Sequence, residues 1–303
     1  MRLEDYIDVP GITPGSTSYF SAAASELDPK LFQGTHMRTW MREAILSILF
    51  DYLAKNFNDP YSWTRAWLAG SGVSYQWAAS RDPGDLDCLV GIEYTKFRQS
   101  NNEYIGFSNN EIASMFNEGF NADVLPNTRR WEGYELTFYV NPATDIRDIN
   151  PYAAYDLIAD VWTVEPDKNP QPPYSRDWEM KTSRDNETAI ELLNRYSAAL
   201  NELRSAKTDA YRINAERKLR LAEEQAVAFY DSIHQGRKVA FSQTGAGYAD
   251  FNNYRWQAGK QTGTIQALRA LKDAYEKAKT KEQVETYGVQ LPDVNTLLRR
   301  TMR

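Results

Sequence analysis

The spacing of apolar residues divides the chain into an alternating first part and a helical second part. From Met37 to Phe57, Trp40, Ile45, Leu46, Ile48, Leu49, Tyr52 and Leu53 recur at helical spacing, and Asn58-Asp59-Pro60 ends the run. Thr64–Ala69 reads as a short apolar strand and Val73–Ala79 as a short helix. Asp82-Pro83-Gly84 is turn chemistry leading into a strand over Asp85–Tyr94. Ser108-Asn109-Asn110-Glu111 matches a capping box that opens a helix to about Phe120. In Gly133–Val140, Glu135, Thr137 and Tyr139 alternate with Leu136, Phe138 and Val140, and a hairpin is expected over Ala153–Val164.

Further on the period becomes helical. Asn186–Lys207 and Thr208–His234 carry stripes (Ile190, Leu193, Tyr196 and Leu200; Leu219, Val227 and Tyr230) expected of an antiparallel helix pair. Gly236–Gly263 mixes Gly, Asn, basic and aromatic residues without periodicity and reads as a loop, before a last helix over about Thr264–Lys279. Residues 1–27 read as irregular, with Asp28-Pro29 as a helix start, and Glu165–Pro173 as a Pro- and Asn-rich linker. The expected organisation is an arm over 1–36, a domain over 37–165, a linker over 166–184 and a helical, basic domain over 185–303. The fold class is α+β, a small mixed sheet lobe followed by a mostly helical lobe.

Composition narrows the chemistry. One cysteine and two histidines (His36 and His234) in 303 residues leave no disulfide framework, Cys-built metal site or His-based triad. Cys88 falls on the apolar side of its strand and reads as a core thiol. With no apolar run of membrane-spanning length and no basic-then-apolar leader, the expectation is a soluble cytoplasmic protein. The net charge of −6 is uneven. Residues 1–180 hold 14 Lys and Arg against 26 Asp and Glu, and residues 181–303 hold 21 against 15. An acidic first half opposite a basic second half suits a cation site facing an anion-binding lobe; two solvated domains that differ by drift would look the same.

Carboxylates and hydroxyls therefore carry whatever chemistry there is. Asp85 and Asp87 sit at i and i+2 of a strand, so they leave one face together while Leu86, Cys88 and Val90 face a core. Two such carboxylates repel unless something positive lies between them, and a divalent cation is the usual answer. Upstream, an apolar run ends in Gly70-Ser71, about a dozen residues before the acids. Glu135 lies opposite the apolar face of its own strand; Asp123 competes as a third acid.

The order apolar-Gly-Ser, about a dozen residues, Asp-apolar-Asp-apolar, then an acid-bearing strand at Tyr134-Glu135-Leu136 resembles the DNA polymerase beta-like nucleotidyltransferase superfamily over roughly residues 37–165. The resemblance implies an enzyme that moves a nucleoside monophosphate from ATP or another NTP to an acceptor hydroxyl and releases pyrophosphate. It implies two Mg²⁺ ions, with Mn²⁺ as an alternative, held by Asp85, Asp87 and Glu135. Gly70 and Ser71 would then lie at the triphosphate. The chain departs from the family in having Gly84 before the first acid, where Ser is frequent, and Glu as the third acid.

Outside the acids, Arg237, Lys238, Arg255 and Lys260 are candidates to meet phosphates, with Tyr248, Tyr254 or Trp256 stacking on a base. The competing reading is an ordered loop whose aromatics pack against the helix pair. Gly245-x-Gly247 resembles a phosphate loop only superficially. The basic second half favours an RNA end or a nucleotide as acceptor. The alternatives are a cyclic- or oligonucleotide synthase similar to the cyclic-GMP-AMP-synthase-like enzymes, an adenylylating toxin, and a non-catalytic RNA- or protein-binding module on the same fold.

Overall fold

The computed structural model describes residues 7–8, 11–15, 17–77 and 84–288. It is a mixed α+β chain with a small sheet and a helical C-terminal region. Its packing separates two units. One comprises residues 17–174 and 237–257; the other comprises residues 175–236 and 258–288 with the described residues up to Gly15. The stretch 237–257 thus packs with the sheet rather than with the helical region in which its sequence lies.

In the sheet unit, the expected helix start at Asp28 is instead a tight turn. Asp28 is buried, and its carboxylate accepts the Lys30 amide at 2.9 Å and the Tyr134 hydroxyl at 2.6 Å. A two-residue hairpin, β1 (Phe32–Gln33) and β2 (His36–Met37), follows. Helix α1 (Thr39–Asn56) buries Met41, Ile45, Leu49 and Leu53, and Phe57 ends it by turning to extended backbone. After α2 (Pro60–Trp63) comes β3 (Thr64–Ala69), with the bounds read from the sequence. The expected helix over Val73–Ala79 is a single 3₁₀ turn, Ser71–Val73, followed by tight turns to Trp77. Residues 78–83 lie outside the described residues, with most of the expected Asp82-Pro83-Gly84 turn.

Strand β4 (Gly84–Ile92) leads to α3 (Tyr94–Ser100). The capping box then forms as read: Glu111 N–H meets Ser108 Oγ, and Glu111 Oε2 accepts the Ser108 amide. The helix it opens, α4 (Asn109–Gly119), runs through a wider turn into α5 (Leu125–Thr128). Strands β5 (Tyr134–Val140), β6 (Ala154–Asp156) and β7 (Val161–Val164) complete the sheet in the order β5-β4-β3-β6-β7. Among the described residues only the β4–β5 pair is parallel. A parallel neighbour requires a long crossover, and α3 to α5 provide it.

The main core lies on one face of this sheet. Leu86, Cys88, Val90, Leu136, Phe138 and Val140 meet the inner faces of α1 and α4 there. Trp63, Phe97 and Phe116 are fully buried, with Phe116 5.5 Å from Phe97 and 4.6 Å from Phe57 between ring centroids. The opposite face is covered only in part. Trp67, Ala69 and Ala154 pack under Ile146 and Ile149, which sit on one 3₁₀ turn. A methyl at Gly91 would stand 2.5 Å from the Thr144 carbonyl oxygen, so glycine is what allows this segment to lie on the sheet.

In the helical unit, α6 (Arg176–Ser205) starts ten residues earlier than the periodicity suggests. Its first turns mix charged residues with Trp178 and Met180, neither of them buried, and Thr182 is the first buried side chain. Helix α7 (Asp209–Ala240) runs past His234 and through Gly236, so its last residues belong to the sheet unit. The irregular Gly236–Gly263 stretch is corrected in the same way: α8 (Phe251–Thr262) occupies its second half. Helix α9 (Thr264–Tyr287) is longer than expected. Leu193, Tyr196, Leu200, Leu219 and Tyr230 are buried as the stripes implied, whereas Ile190 is 42% exposed. Among the described residues no helix is long and apolar enough to cross a membrane.

Candidate functional site

Strand polarity and register assemble the acids. In the parallel β4–β5 pair, Asp85 stands level with Glu135, and Asp87 with Thr137. Period-two alternation sends all four side chains to the face away from α1 and α4. Asp85 and Asp87 are exposed, and Glu135 and Thr137 partly so, while Leu86, Cys88, Leu136 and Phe138 between them are buried. The segment bearing Ile146 and Ile149 covers the Trp67–Ala69 part of this face. The acids thus occupy its open end. Cys88, on the buried side, has its thiol pushed up by desolvation and by Asp87, and it belongs to the core.

Thr137 is the group that sequence reading passed over. Its hydroxyl donates to Asp87 Oδ1 at 2.9 Å, fixing one carboxylate of the pair. The alternation that exposes Glu135 also exposes Thr137. Asp123, the competing acid, stands instead beside Tyr52 of α1, where it adds to the effect of burial in raising that phenol's pKa. It is on a helical turn against the core side.

Gly70 and Ser71 arrive at the same end. Ala69 pairs with Asp87 across β3 and β4. Gly70 then takes φ +88° and ψ −160°, a conformation open essentially to glycine alone. A Cβ there would lie 3.6 Å from Asp87 Oδ2, so the bare backbone faces the carboxylate. Gly72 was also missed: a Cβ on it would meet the Asp85 carbonyl oxygen at 2.5 Å and Leu86 at 2.9 Å. The triplet Gly70-Ser71-Gly72 rests directly on the start of β4. Gly84 has its own reason, since a Cβ would strike the Tyr134 ring at 2.9 Å, and Tyr134 is fixed by Asp28.

Among the described residues, no three His, Cys, Asp or Glu side chains are gathered as a metal ion would hold them. The backbone positions are nonetheless adjacent. Cross-strand neighbours stand about 5 Å apart and i, i+2 neighbours about 7 Å apart. The donors are all oxygens, the set that Mg²⁺ and Mn²⁺ prefer. The donor chemistry of Asp85, Asp87 and Glu135 suits such an ion, while their side chains as placed do not converge on one.

The residues expected to meet phosphates and a base fall into different settings. Tyr254 and Trp256 are 8% and 6% exposed, so their rings are packed inside and offer no open face for stacking. The Arg237 guanidinium lies over the Trp256 ring at 5.1 Å. Lys238 is exposed on α7, and Arg255 is partly exposed on α8. Lys260, also on α8, belongs to the helical unit. The pair Gly245 and Gly247 lines no phosphate site; it lets the chain turn tightly. Gly247, at φ +62°, presses on the Asn150 carbonyl, and Asn150 Nδ2 donates to the Gly245 carbonyl at 2.8 Å.

Comparison with protein-family models, with curated proteins and with solved structures finds no match.

Proposed function

We propose that the sheet unit is a nucleotidyltransferase lobe of the DNA polymerase beta-like kind. It would transfer a nucleoside monophosphate from an NTP to an acceptor hydroxyl with release of pyrophosphate. The observation that carries the reading is the juxtaposition at the open end of the sheet. Asp85 and Asp87 on β4, Glu135 level with Asp85 on the parallel β5, and the strained Gly70 backbone against Asp87 come from three separate segments. Random solvation of a strand end explains one exposed acid; it does not explain a third acid in register and a bare glycine facing Asp87.

On this reading Asp85, Asp87 and Glu135 hold divalent ions, Mg²⁺ by donor chemistry. Such ions neutralise triphosphate charge and lower the pKa of an acceptor hydroxyl. The chain's own residues do the positioning. Thr137 holds Asp87 in orientation, Gly70 admits a phosphate close to the backbone, and Ser71 offers its hydroxyl and amide beside it. The acceptor is an RNA end or a nucleotide, a choice that rests on the basic second half of the sequence. Its excess of Lys and Arg suits phosphate contacts.

The test is pyrophosphate release from each NTP with Mg²⁺ or Mn²⁺, with and without added RNA. Changing Asp85→Ala together with Asp87→Ala is expected to lower the rate by roughly a thousandfold or more, the scale of several kcal/mol of lost charge stabilisation. Both side chains are exposed, so the melting temperature should change little. An unchanged rate would sink the assignment.

A further inference from the structure

Below Gly70-Ser71-Gly72 lies a buried polar cluster that the acids do not explain. Ser74 is fully buried, and its Oγ sits 2.9 Å from the Ser71 carbonyl, 2.6 Å from the Tyr152 hydroxyl and 3.1 Å from the Gln76 amide. Gln76, 1% exposed, is the hub. Its Oε1 accepts from Tyr152 at 2.9 Å, and its Nε2 faces the Tyr19 carbonyl and the Tyr248 hydroxyl, each at 3.3 Å. Tyr248 is fixed in turn. Its carbonyl accepts from the Tyr19 hydroxyl at 3.1 Å and from Asn253 Nδ2 at 3.0 Å. Its ring packs 4.7 Å from both Tyr19 and Tyr152.

The segment 245–253 therefore reaches the Gly-Ser loop through Gln76, from 172 residues away in sequence. A buried carboxamide bound at both ends has one orientation, and losing either partner leaves a buried polar atom unpaired. A surface loop needs no such cluster to be stable. Burying Ser74 and Gln76 beneath Ser71 makes sense where the loop must keep one shape while something binds on it.

We propose that Gln76, held by Tyr152 and Tyr248, is a positioning residue that presets the Gly70–Ser74 loop for the triphosphate. The role rests on the nucleotidyltransferase reading for the identity of the ligand. The holding of the loop does not rest on it. On this account 237–257 serves the site by supporting it from beneath, with Tyr254 and Trp256 as packing and Tyr248 as the contact.

Two measurements on the full chain test this separately. The first is amide hydrogen exchange of peptides covering residues 70–77 in Tyr152→Phe and Tyr248→Phe, which remove one hydroxyl each and keep the rings. Exchange there is expected to quicken by roughly tenfold, the usual scale for a lost buried hydrogen bond. Thr128→Val, which deletes a buried hydroxyl bonded to the Leu136 carbonyl in the same unit, is the control and should leave this segment unchanged. Unaltered exchange in both tyrosine variants, or equal quickening in the control, overturns the proposal. The second is steady-state kinetics with NTP and Mg²⁺: KM should rise roughly tenfold in the tyrosine variants with kcat within about twofold, as expected for lost preorganisation. A fall in kcat at unchanged KM overturns the triphosphate role. Wild-type protein that neither binds nor turns over any NTP rejects the nucleotidyltransferase reading and this triphosphate role, while the exchange result still decides whether the tyrosines hold the loop.

Discussion

The two units use the same kinds of residue to different ends. The sheet unit buries rings: Trp63, Phe97, Phe116 and Phe120 interlock behind β4 and β5. The helical unit buries alanines and leucines, among them Ala189, Ala199, Ala222, Ala226, Leu200, Leu219 and Leu268, and among its described residues no Phe or Trp is buried. Ion pairs occur in both units, and Arg42–Asp160, Arg65–Glu93 and Arg147–Asp145 lie in the sheet unit. In the helical unit carboxylates meet cations along and across helices, as in Lys181–Asp177, Arg195–Glu191 and Lys218–Glu202. The sheet unit in addition sets Asp85, Asp87 and Glu135 side by side on one face. Paired charges on helices are ordinary surface electrostatics. Acids set in register on one face of the sheet, by contrast, are the feature on which the proposed site rests.

The contrast can be broken or sharpened by substitution. The largest effect is expected in the ring core. Phe116→Ala should cost about 3–5 kcal/mol of stability in chemical denaturation, because four aromatic neighbours lose their common contact. A loss near 1 kcal/mol would mean that the rings collapse into the gap and the core is less specific than it looks.

Next comes a carboxylate that the helical unit buries. Glu223 is 4% exposed on α7, and desolvation raises its pKa from an ordinary 4.5 to about 7, with Arg220 opposing and Glu224 adding to the rise. The folded state therefore holds this proton more tightly than the unfolded chain does. Below pH 4.5 the group is neutral in both states and imposes no penalty. Between about pH 4.5 and 7 stability falls, and above that range the loss levels at on the order of 3 kcal/mol. Glu223→Gln should remove this slope and stabilise the protein at pH 8, read by urea denaturation at pH 4.5, 6 and 8. An identical slope in the variant would show that other groups carry it.

The smallest effect belongs to the helix surface. Lys218→Met removes a bridge from α7 to Glu202 on α6 in which both side chains are about half exposed. It should change stability by less than about 1 kcal/mol, and by less still at high salt. A larger loss would make the surface pairs, rather than the alanine-leucine packing, the bond between these helices.

Much of the sheet unit was legible because local signals agreed there. Pro60 and Gly70 bracket β3, the Ser108–Glu111 box opens α4, and strict alternation marks β5. The acid pair and the third acid followed from the same period of two. What escaped was tertiary. Residues 251–262 lack a clean stripe, yet α8 forms, because Asn253, Tyr254 and Trp256 are buried together and packing overrides weak propensity. Asp250 was a local clue, since its carboxylate accepts the Ala246 and Asn252 amides at the helix entrance. Gln76, Tyr152 and Tyr248 could not be joined by any local rule, for their bonds link segments far apart in sequence.

The bond between Gln76 and Tyr248 also sets an order in time. A ribosome that has just made Gln76 must add 172 residues before its partner exists. At ordinary elongation rates that takes roughly 10 to 30 s. Throughout that interval the nascent chain can pair β3 with β4, and later β4 with β5, so the acid face is built early while the underside of the Gly-Ser loop stays open. Closure of the sheet unit is thus deferred until both long helices α6 and α7 have been translated.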